Sequence, residues 1–189
     1  MIGVLLSVGV DSLAMLDMAT QKSMDVLAIY INWGQPAHWY EDTASIKICQ
    51  HYGVPRKVIN AGFLMSNAMH AGAGAPGPRV VKGRNLAFIS MALAAVPGLT
   101  QIWLGAVKDD YDDYMDCRPA YVMQLNALIA HSGVHVRAPL IRSTKKEIHD
   151  YCQLENVPLE LAWSCYEAQD GKPCKTCDSC KSNNPTSWR

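Results

Sequence analysis

Short apolar runs alternate with helix-forming segments along most of this 189-residue sequence. The runs typical of buried strands are Ile2 to Leu6, Asp25 to Ile31, Lys57 to Ile59, Gln101 to Leu104 and His135 to Arg137. The segments between them predict helices over Ser12 to Lys22, Trp39 to Tyr52, Asn85 to Ala95 and Pro119 to His131, and from a Thr144–Glu147 capping box to about Asn156. The alternation predicts an α/β fold with a mostly parallel sheet, helices on both faces, and a ligand site beyond the carboxyl ends of the strands.

Composition excludes some classes of function. Lys and Arg total 17 and are balanced by 17 Asp and Glu, which gives no support to bulk binding of nucleic acid or an anionic membrane. The apolar N-terminal stretch lacks a basic region before it and is interrupted by Asp11, so we do not interpret it as a signal peptide. The run from Leu86 to Val96 is about half the length of a membrane-spanning helix. We therefore expect a cytoplasmic protein. Separately, the many Gly, Ala and Pro residues between Gly62 and Lys82 predict a mobile loop there.

A candidate phosphate loop follows the first predicted strand, with the sequence Ser7-Val8-Gly9-Val10-Asp11-Ser12. Free backbone N–H groups and the helix dipole favour an anion at such a position. The two serine hydroxyls add donors, and Asp11 can cap the helix or help to hold Mg²⁺. The alternative is an ordinary strand-to-helix turn with a capping side chain.

Four of the seven cysteines are concentrated near the C-terminus in the pattern C-x8-C-x2-C-x2-C. They are Cys165, Cys174, Cys177 and Cys180. These spacings allow four thiolates to converge on one Zn²⁺, and a site with four protein ligands is structural rather than catalytic. Free thiols and an iron–sulfur cluster are the alternatives. We expect one main domain over residues 1–160, which contains the candidate phosphate loop, and a zinc-binding segment over residues 161–189.

The phosphate loop resembles the Ser-Gly-Gly-x-Asp-Ser signature of PP-loop ATP pyrophosphatases, whose fold is Rossmann-like. Within that class the chain resembles the QueC family nearly from end to end. The matching segments are Ser7 to Ser12, Asn32 to Gln35, Lys82 to Asn85, Leu104 to Ala106, Tyr114 to Arg118, Ala138 to Leu140, Thr144 to Glu147 and Trp163 to Tyr166 with the cysteines. One position departs, because Val8 stands where the family has glycine, and a β-branched residue resists positive φ.

The resemblance implies an ATP-dependent ligase that converts 7-carboxy-7-deazaguanine and ammonia to the nitrile 7-cyano-7-deazaguanine through adenylated intermediates. It implies Mg²⁺ and Zn²⁺ as metals, a homodimer, and no direct contact with nucleic acid or membrane. The implied catalytic residues are Ser7, Asp11, Ser12, Arg84, Asp116 and Lys145. The implied ATP contacts are Leu6, Ser7, Val8, Gly9, Val10, Asp11, Ser12, Trp33, Gly34, Gly83 and Arg84. The implied substrate contacts are Gln35, Asn85, Asp109, Asp116 and Arg118.

Several of these residues have a second interpretation. Arg84 and Lys145 can hold phosphates or a carboxylate, or can be surface charges. The acidic run from Asp109 to Asp116 suits Mg²⁺ or an amine-rich base, or is a solvated loop, and Trp33 is either an adenine contact or a core side chain.

For the function of the whole chain, two alternatives stay open. One is another PP-loop enzyme, such as a tRNA thiolase or an amide ligase. The other is a QueC-like protein that binds nucleotide or deazaguanine without catalysis.

Overall fold

Five parallel strands form one sheet in the computed structural model, which describes residues 1–62, 81–168 and 171–183. The strands are β1 (Ile2–Leu5), β2 (Val26–Asn32), β3 (Arg56–Asn60), β4 (Gln101–Trp103) and β5 (His135–Arg137). Their order is β3-β2-β1-β4-β5, and each neighbouring pair is parallel. The direction of winding reverses between β1 and β4, and ligands of open α/β sheets bind beyond the carboxyl ends of the strands at such a point.

Helices cover both faces of this sheet. Among the described residues, these helices are α1 (Val10–Lys22), α2 (His38–Tyr52), α3 (Arg84–Ala95), α4 (Pro119–Leu128) and α5 (Lys145–Leu154), and a short helix α6 (Asp178–Ser182) lies in the C-terminal cysteine segment. Apolar side chains of α1, α2 and α5 pack with Val4 in one buried cluster, and those of α3 and α4 pack with Leu5 in a second. Adjacent residues of β1 thus face opposite layers, as the pleat of a strand requires. The predicted α/β class is confirmed.

Two predicted helices end earlier in the structure than in the sequence interpretation. The helix expected to continue to His131 stops at Leu128, and a separate 3₁₀ turn over Ala130–Ser132 leads to Gly133 at φ 69°. The helix expected to reach about Asn156 stops at Leu154, because Asn156 itself takes a left-handed φ of 55°. Residues in this region of φ/ψ space end a right-handed helix.

The predicted mobile loop over Gly62 to Lys82 falls almost wholly outside the described residues. Among the residues that the structure describes, no helix is long and apolar enough to cross a membrane.

Candidate active site and metal centre

The loop between β1 and α1 leaves the first turn of α1 open. Gly9 is the N-cap of this helix, and no side chain caps it. Ser12 instead turns its hydroxyl back to the carbonyl of Gly9 at 3.0 Å and accepts a hydrogen bond from Ser7 at 3.2 Å. The N–H groups of the first helical turn have no intrahelical acceptors, so they are available to an anion.

Val8 has an unusual backbone for a β-branched residue. Its φ is 62°, in the left-handed region that Val rarely adopts, and this costs on the order of 1–3 kcal/mol. The side chain is fully buried and belongs to the apolar cluster that contains α1 and α5. The loop therefore keeps the backbone shape that glycine would allow, while the Val8 side chain lies in the core beneath it.

Asp11, Asp110 and Lys145 interact electrostatically beside this loop. The Lys145 Nζ lies 3.5 Å from a carboxylate oxygen of Asp110. Burial raises the pKa of Asp11 to about 6, the Lys145 ammonium opposes the shift, and the carboxylates of Asp110 and Asp109 add to it. Burial also raises the pKa of Asp110. It lowers that of Lys145, but the charges of Asp110 and Asp11 reverse the effect, so the pKa of Lys145 is raised overall. The group combines a protonated lysine with two carboxyls whose pKa values are both raised, that of Asp11 to about 6.

The acidic segment after β4 is tied to α5 rather than free in solvent. Asp109 accepts a hydrogen bond from the backbone N–H of Lys145, the first residue of that helix. Arg118 donates from its Nε to the carbonyl of Tyr111 at 2.8 Å, which holds the same segment from its other end. Asp116 lies between these anchors in a single 3₁₀ turn. Two contacts thus fix the segment at the carboxyl edge of the sheet.

A second group of predicted residues lies at the carboxyl end of β2. The guanidinium carbon of Arg84 is 5.8 Å from the centre of the Trp33 ring, within the range of a cation–π interaction. Arg84 begins α3 directly after Gly83, which takes a φ of 74°, and Gly34 takes a φ of 85°. These two turns direct a cation and an aromatic ring to the same edge as the phosphate loop.

Gln35 and Asn85 are the two predicted substrate contacts that lie below the surface. Gln35 is 5% exposed; its amide oxygen accepts from the Trp33 N–H at 2.9 Å, and its amide nitrogen donates to Tyr30 and Glu41. Asn85 is 7% exposed in the first turn of α3. In this structure the Gln35 carboxamide shapes the Trp33 turn.

Three residues near the site were not singled out from the sequence. Asp110 is paired with Lys145, Tyr114 interacts electrostatically with Arg84 and Asp110, and Tyr166 interacts with Tyr114 and Lys145. Burial raises the pKa of Tyr114 to about 12, with Tyr166 adding to the shift and Arg84 opposing it. Both tyrosines stand inside sequence segments quoted above, but only their positions in the fold distinguish them from their neighbours.

The four C-terminal cysteines converge in space. Their Sγ atoms all lie within 4.8 Å of one another. A tetrahedral site with Zn–S bonds of about 2.3 Å separates its sulfurs by about 3.8 Å, so a small contraction would suffice. The backbone N–H groups of Cys174 and Cys177 donate to Sγ of Cys165 and Cys174 at 3.2 and 3.3 Å. Donors aimed at sulfur favour thiolates, the form that binds metals.

The pKa values alone do not separate the cluster from the other cysteines, because burial raises the pKa of Cys165 and raises that of Cys180 to about 12. Hydrogen bonds from Thr176 and from the backbone of Cys177 lower the pKa of Cys174 to about 6. Burial instead raises the pKa of Cys49 to about 11 and of Cys117 and Cys152 to about 12. The cluster is the group of cysteines whose geometry can hold a metal ion, whereas the scattered three pack as small apolar side chains in the core.

Comparison with known families gives a match over nearly the whole chain. The family described as "Queuosine biosynthesis protein QueC" matches residues 2–186. A protein named 7-cyano-7-deazaguanine synthase from Chlorobaculum parvum is 33% identical over an alignment of 197 residues, and the match covers 93% of this chain and 86% of that protein. A protein of the same name from Chlorobium phaeobacteroides is 34% identical over an alignment of 200 residues, and the match covers 94% of this chain and 87% of that protein.

Solved structures extend the likeness at the level of the fold. The U34-tRNA thiolase NcsA from Methanococcus maripaludis, solved with its [4Fe-4S] cluster, has a TM-score of 0.57 at 18% identity and is matched over 62% of its chain. A predicted subunit of tRNA methyltransferase from Methanocaldococcus jannaschii has a TM-score of 0.56, also at 18% identity, and is matched over 73% of its chain. At this identity the likeness shows a shared fold alone.

Proposed function

The chain belongs to the QueC family, and on that premise we propose that it is a ligase that converts 7-carboxy-7-deazaguanine and ammonia to 7-cyano-7-deazaguanine at the expense of ATP. The observation that carries this proposal is the family match over residues 2–186. The curated relatives named above are all called 7-cyano-7-deazaguanine synthase and align with more than nine-tenths of this chain.

In the proposed reaction, ATP activates the carboxyl carbon of the substrate twice, first as the acid and then as the amide. The acid's carboxylate attacks the α-phosphorus of ATP, and pyrophosphate leaves. Ammonia then displaces AMP and loses a proton, which gives the amide. The amide oxygen attacks a second ATP, pyrophosphate leaves again, and loss of AMP together with both protons of the amide nitrogen gives the nitrile. Each nitrile therefore consumes two ATP and yields two AMP and two pyrophosphates.

The open end of α1 is the part of the site that suits the pyrophosphate. Its first-turn N–H groups offer donors to phosphate oxygens, and the Ser7 hydroxyl, which donates to Ser12 in this structure, can rotate to donate to a phosphate instead. Lys145 keeps its proton at neutral pH and can offset charge that develops at the α-phosphorus. We propose Asp11 and Asp110, which both interact with Lys145, as the carboxylates that hold Mg²⁺ next to this loop.

The second group of residues suits the planar parts of the ligands. The Trp33 ring offers a stacking surface, and Arg84 offers a guanidinium that can hold a carboxylate or a phosphate in a bidentate manner. We propose Asp109, Asp116, Arg118 and Asn85 as substrate contacts, and assign Gln35 to the support of the Trp33 turn.

Zinc is the metal that we propose for the cysteine cluster. Four thiolates and no open ligand position suit a structural Zn²⁺, whose binding energy is partly folding energy. Elemental analysis should give one zinc per chain, and Cys165→Ser should lower both zinc content and melting temperature. Cys49→Ser is the matched control, because Cys49 is also buried but lies outside the cluster. Iron with inorganic sulfide in place of zinc would contradict the assignment.

The activity test is a reaction containing ATP, Mg²⁺, ammonia and 7-carboxy-7-deazaguanine, followed by mass spectrometry of the base and chromatography of the nucleotides. We expect the nitrile, with AMP and pyrophosphate that appear only when the acid is present. ADP and phosphate would contradict the adenylation scheme. Turnover that requires tRNA and a persulfide donor would identify a thiolase, and binding of acid and ATP without products would identify a non-catalytic member. A homodimer remains a prediction that sedimentation would test.

A further inference from the structure

We propose that Trp163 is a positioning residue that couples metal binding at the cysteine cluster to the shape of the phosphate loop, so that metal and ATP bind cooperatively. The proposal rests on the assignments of the loop to ATP and of the cluster to zinc. It adds a physical link between two sites that those assignments treat separately.

The first step is the direct contact between the C-terminal segment and the loop. The backbone N–H of Trp163 donates to the carbonyl of Val8 at 2.9 Å. Val8 is the residue of the loop that takes the left-handed φ of 62°. A strained conformation of this kind persists only where surrounding contacts fix it. The hydrogen bond from Trp163 fixes the peptide group that follows Val8, from which the open end of α1 begins.

The second step is the fixing of Trp163 itself. Its ring stacks on Tyr40 of α2 with centroids 4.6 Å apart and planes 11° from parallel. Its indole N–H donates to the carbonyl of Cys165 at 3.0 Å. Next to it, the Ser164 hydroxyl lies 3.6 Å from the point where a Cβ on Gly9 would stand. Trp163 therefore touches the loop with its backbone and the first cysteine of the cluster with its side chain.

The third step is the consequence for binding. Cys165 is the most buried of the four cysteines, at 2% exposure, and a metal that holds its sulfur limits the movement of residues 163–165. A fixed Trp163 in turn limits the loop to the conformation that presents its N–H groups to phosphate. Because linkage is reciprocal, ATP must then tighten metal binding by the same factor by which metal tightens ATP binding.

The test measures this factor in the intact, metal-loaded protein. Zinc affinity is determined at equilibrium by competition with a chromophoric zinc chelator, with and without a saturating non-hydrolysable ATP analogue and Mg²⁺. We expect the analogue to raise zinc affinity at least about fivefold, within the usual range of coupling between sites. Calorimetry of ATP on loaded and stripped protein should return the same factor. Equal zinc affinities with and without the analogue would overturn the proposal. The chelator competition does not require the zinc-free protein to stay folded.

Variants locate the coupling. Trp163→Ala removes the ring stack and the indole donor but leaves the backbone N–H, and we expect it to bring the factor below about twofold while one zinc per chain is retained. Trp163→Phe restores the stack and should recover part of the factor. Trp39→Ala is the matched control, since Trp39 also lies on the α2 side but is 74% exposed; it should leave the factor unchanged. Full coupling in Trp163→Ala would refute the role of Trp163.

Failure of the coupling can be told apart from failure of the proposed function. If the protein binds zinc and ATP tightly but independently, the coupling is refuted and the proposed function stands. If it binds no ATP in the loaded state, both are refuted.

Discussion

The helices α1 and α5 both begin beside the candidate site, but they differ in how their N-termini are capped. At α5, Thr144 accepts from the N–H of Glu147 while Glu147 accepts from the N–H of Thr144, and Asp109 accepts from Lys145. At α1, the N-cap is Gly9 and no side chain makes a capping hydrogen bond. The protein thus satisfies the donors of one helix end with its own oxygens and leaves the donors of the other end without a side-chain cap. The closed end serves as a rigid support for Lys145, and the open end is the site that we propose for an anion.

The largest expected effect is at the open end. Asp11→Asn should lower turnover by about 10² or more, because a positioned charge in such a site stabilises the transition state by several kcal/mol. The same change should raise the free energy of unfolding at pH 8. The folded-state pKa of Asp11, about 6, lies above its ordinary value of 3.8, so ionised Asp11 destabilises the fold above pH 6 and is neutral in effect below about pH 4.

Steady-state kinetics and denaturant unfolding of Asp11→Asn at pH 5 and pH 8 check this prediction. Asp112→Asn is the control, because Asp112 is an exposed residue of the neighbouring acidic segment and should change neither quantity. A variant that loses both activity and stability would show that Asp11 supports the helix instead of the ligand, and the contrast between the two ends would fail.

A second effect concerns pH. If Asp11 helps to hold Mg²⁺ with ATP, the carboxylate must be ionised in the complex, so Mg-ATP affinity should rise by up to about tenfold per pH unit below 6 and level off above it. Calorimetric titration from pH 5 to pH 8 measures this slope, and Asp11→Asn should flatten it. A flat profile in the unmodified protein would remove Asp11 from the metal site.

A smaller effect is expected at the closed end. Thr144→Ala removes the reciprocal cap of α5 and should lower the free energy of unfolding by about 1 kcal/mol. Mg-ATP affinity should change by less than about twofold, provided that Asp109 still holds the first turn. Chemical denaturation and calorimetry on the same preparation give both numbers. A large loss of ATP affinity would mean that this end, too, is part of the binding site.

Much of this arrangement was predictable from the sequence, because it depends on local patterns. The apolar strands, the capping box at Thr144 and the loop after the first strand are each determined by neighbouring residues. The cysteine cluster was equally clear, since its spacing alone brings the sulfurs close together. The strand order β3-β2-β1-β4-β5 was not predicted, because more than one order is common in doubly wound sheets.

What the sequence did not predict depends on contacts between distant segments. Asp110 was one of several acidic residues in a run, and only its pairing with Lys145 distinguishes it from Asp112. The backbone hydrogen bond between Trp163 and Val8 joins residues 155 positions apart, and no local sequence pattern predicts it. Gln35 was predicted as a substrate contact, a role that stays untested, while its buried hydrogen bonds to the Trp33 turn show a structural role that composition could not reveal.

The smallest expected effect is the difference in stability between two substitutions of Val8. The sign of this difference is the test. Val8→Gly and Val8→Ala both remove a buried side chain, and each should destabilise the protein by about 1–3 kcal/mol. At an ordinary position glycine is the worse of the two by about 0.5–1 kcal/mol. At a φ of 62° the order should reverse, because alanine still suffers the left-handed penalty of about 1–2 kcal/mol and glycine does not.

We therefore expect Val8→Gly to be more stable than Val8→Ala by about 0.5 kcal/mol or more, in paired urea titrations with equal m-values. Because the Val8 side chain is fully buried in the core, Val8→Gly should change ATP affinity by less than about tenfold, or 1.4 kcal/mol. If alanine is the more stable, the strained loop is refuted. If Val8→Gly instead raises turnover by orders of magnitude with zinc unchanged, Val8 is what keeps the open end of α1 from working, and the chain is a binding protein rather than an active ligase.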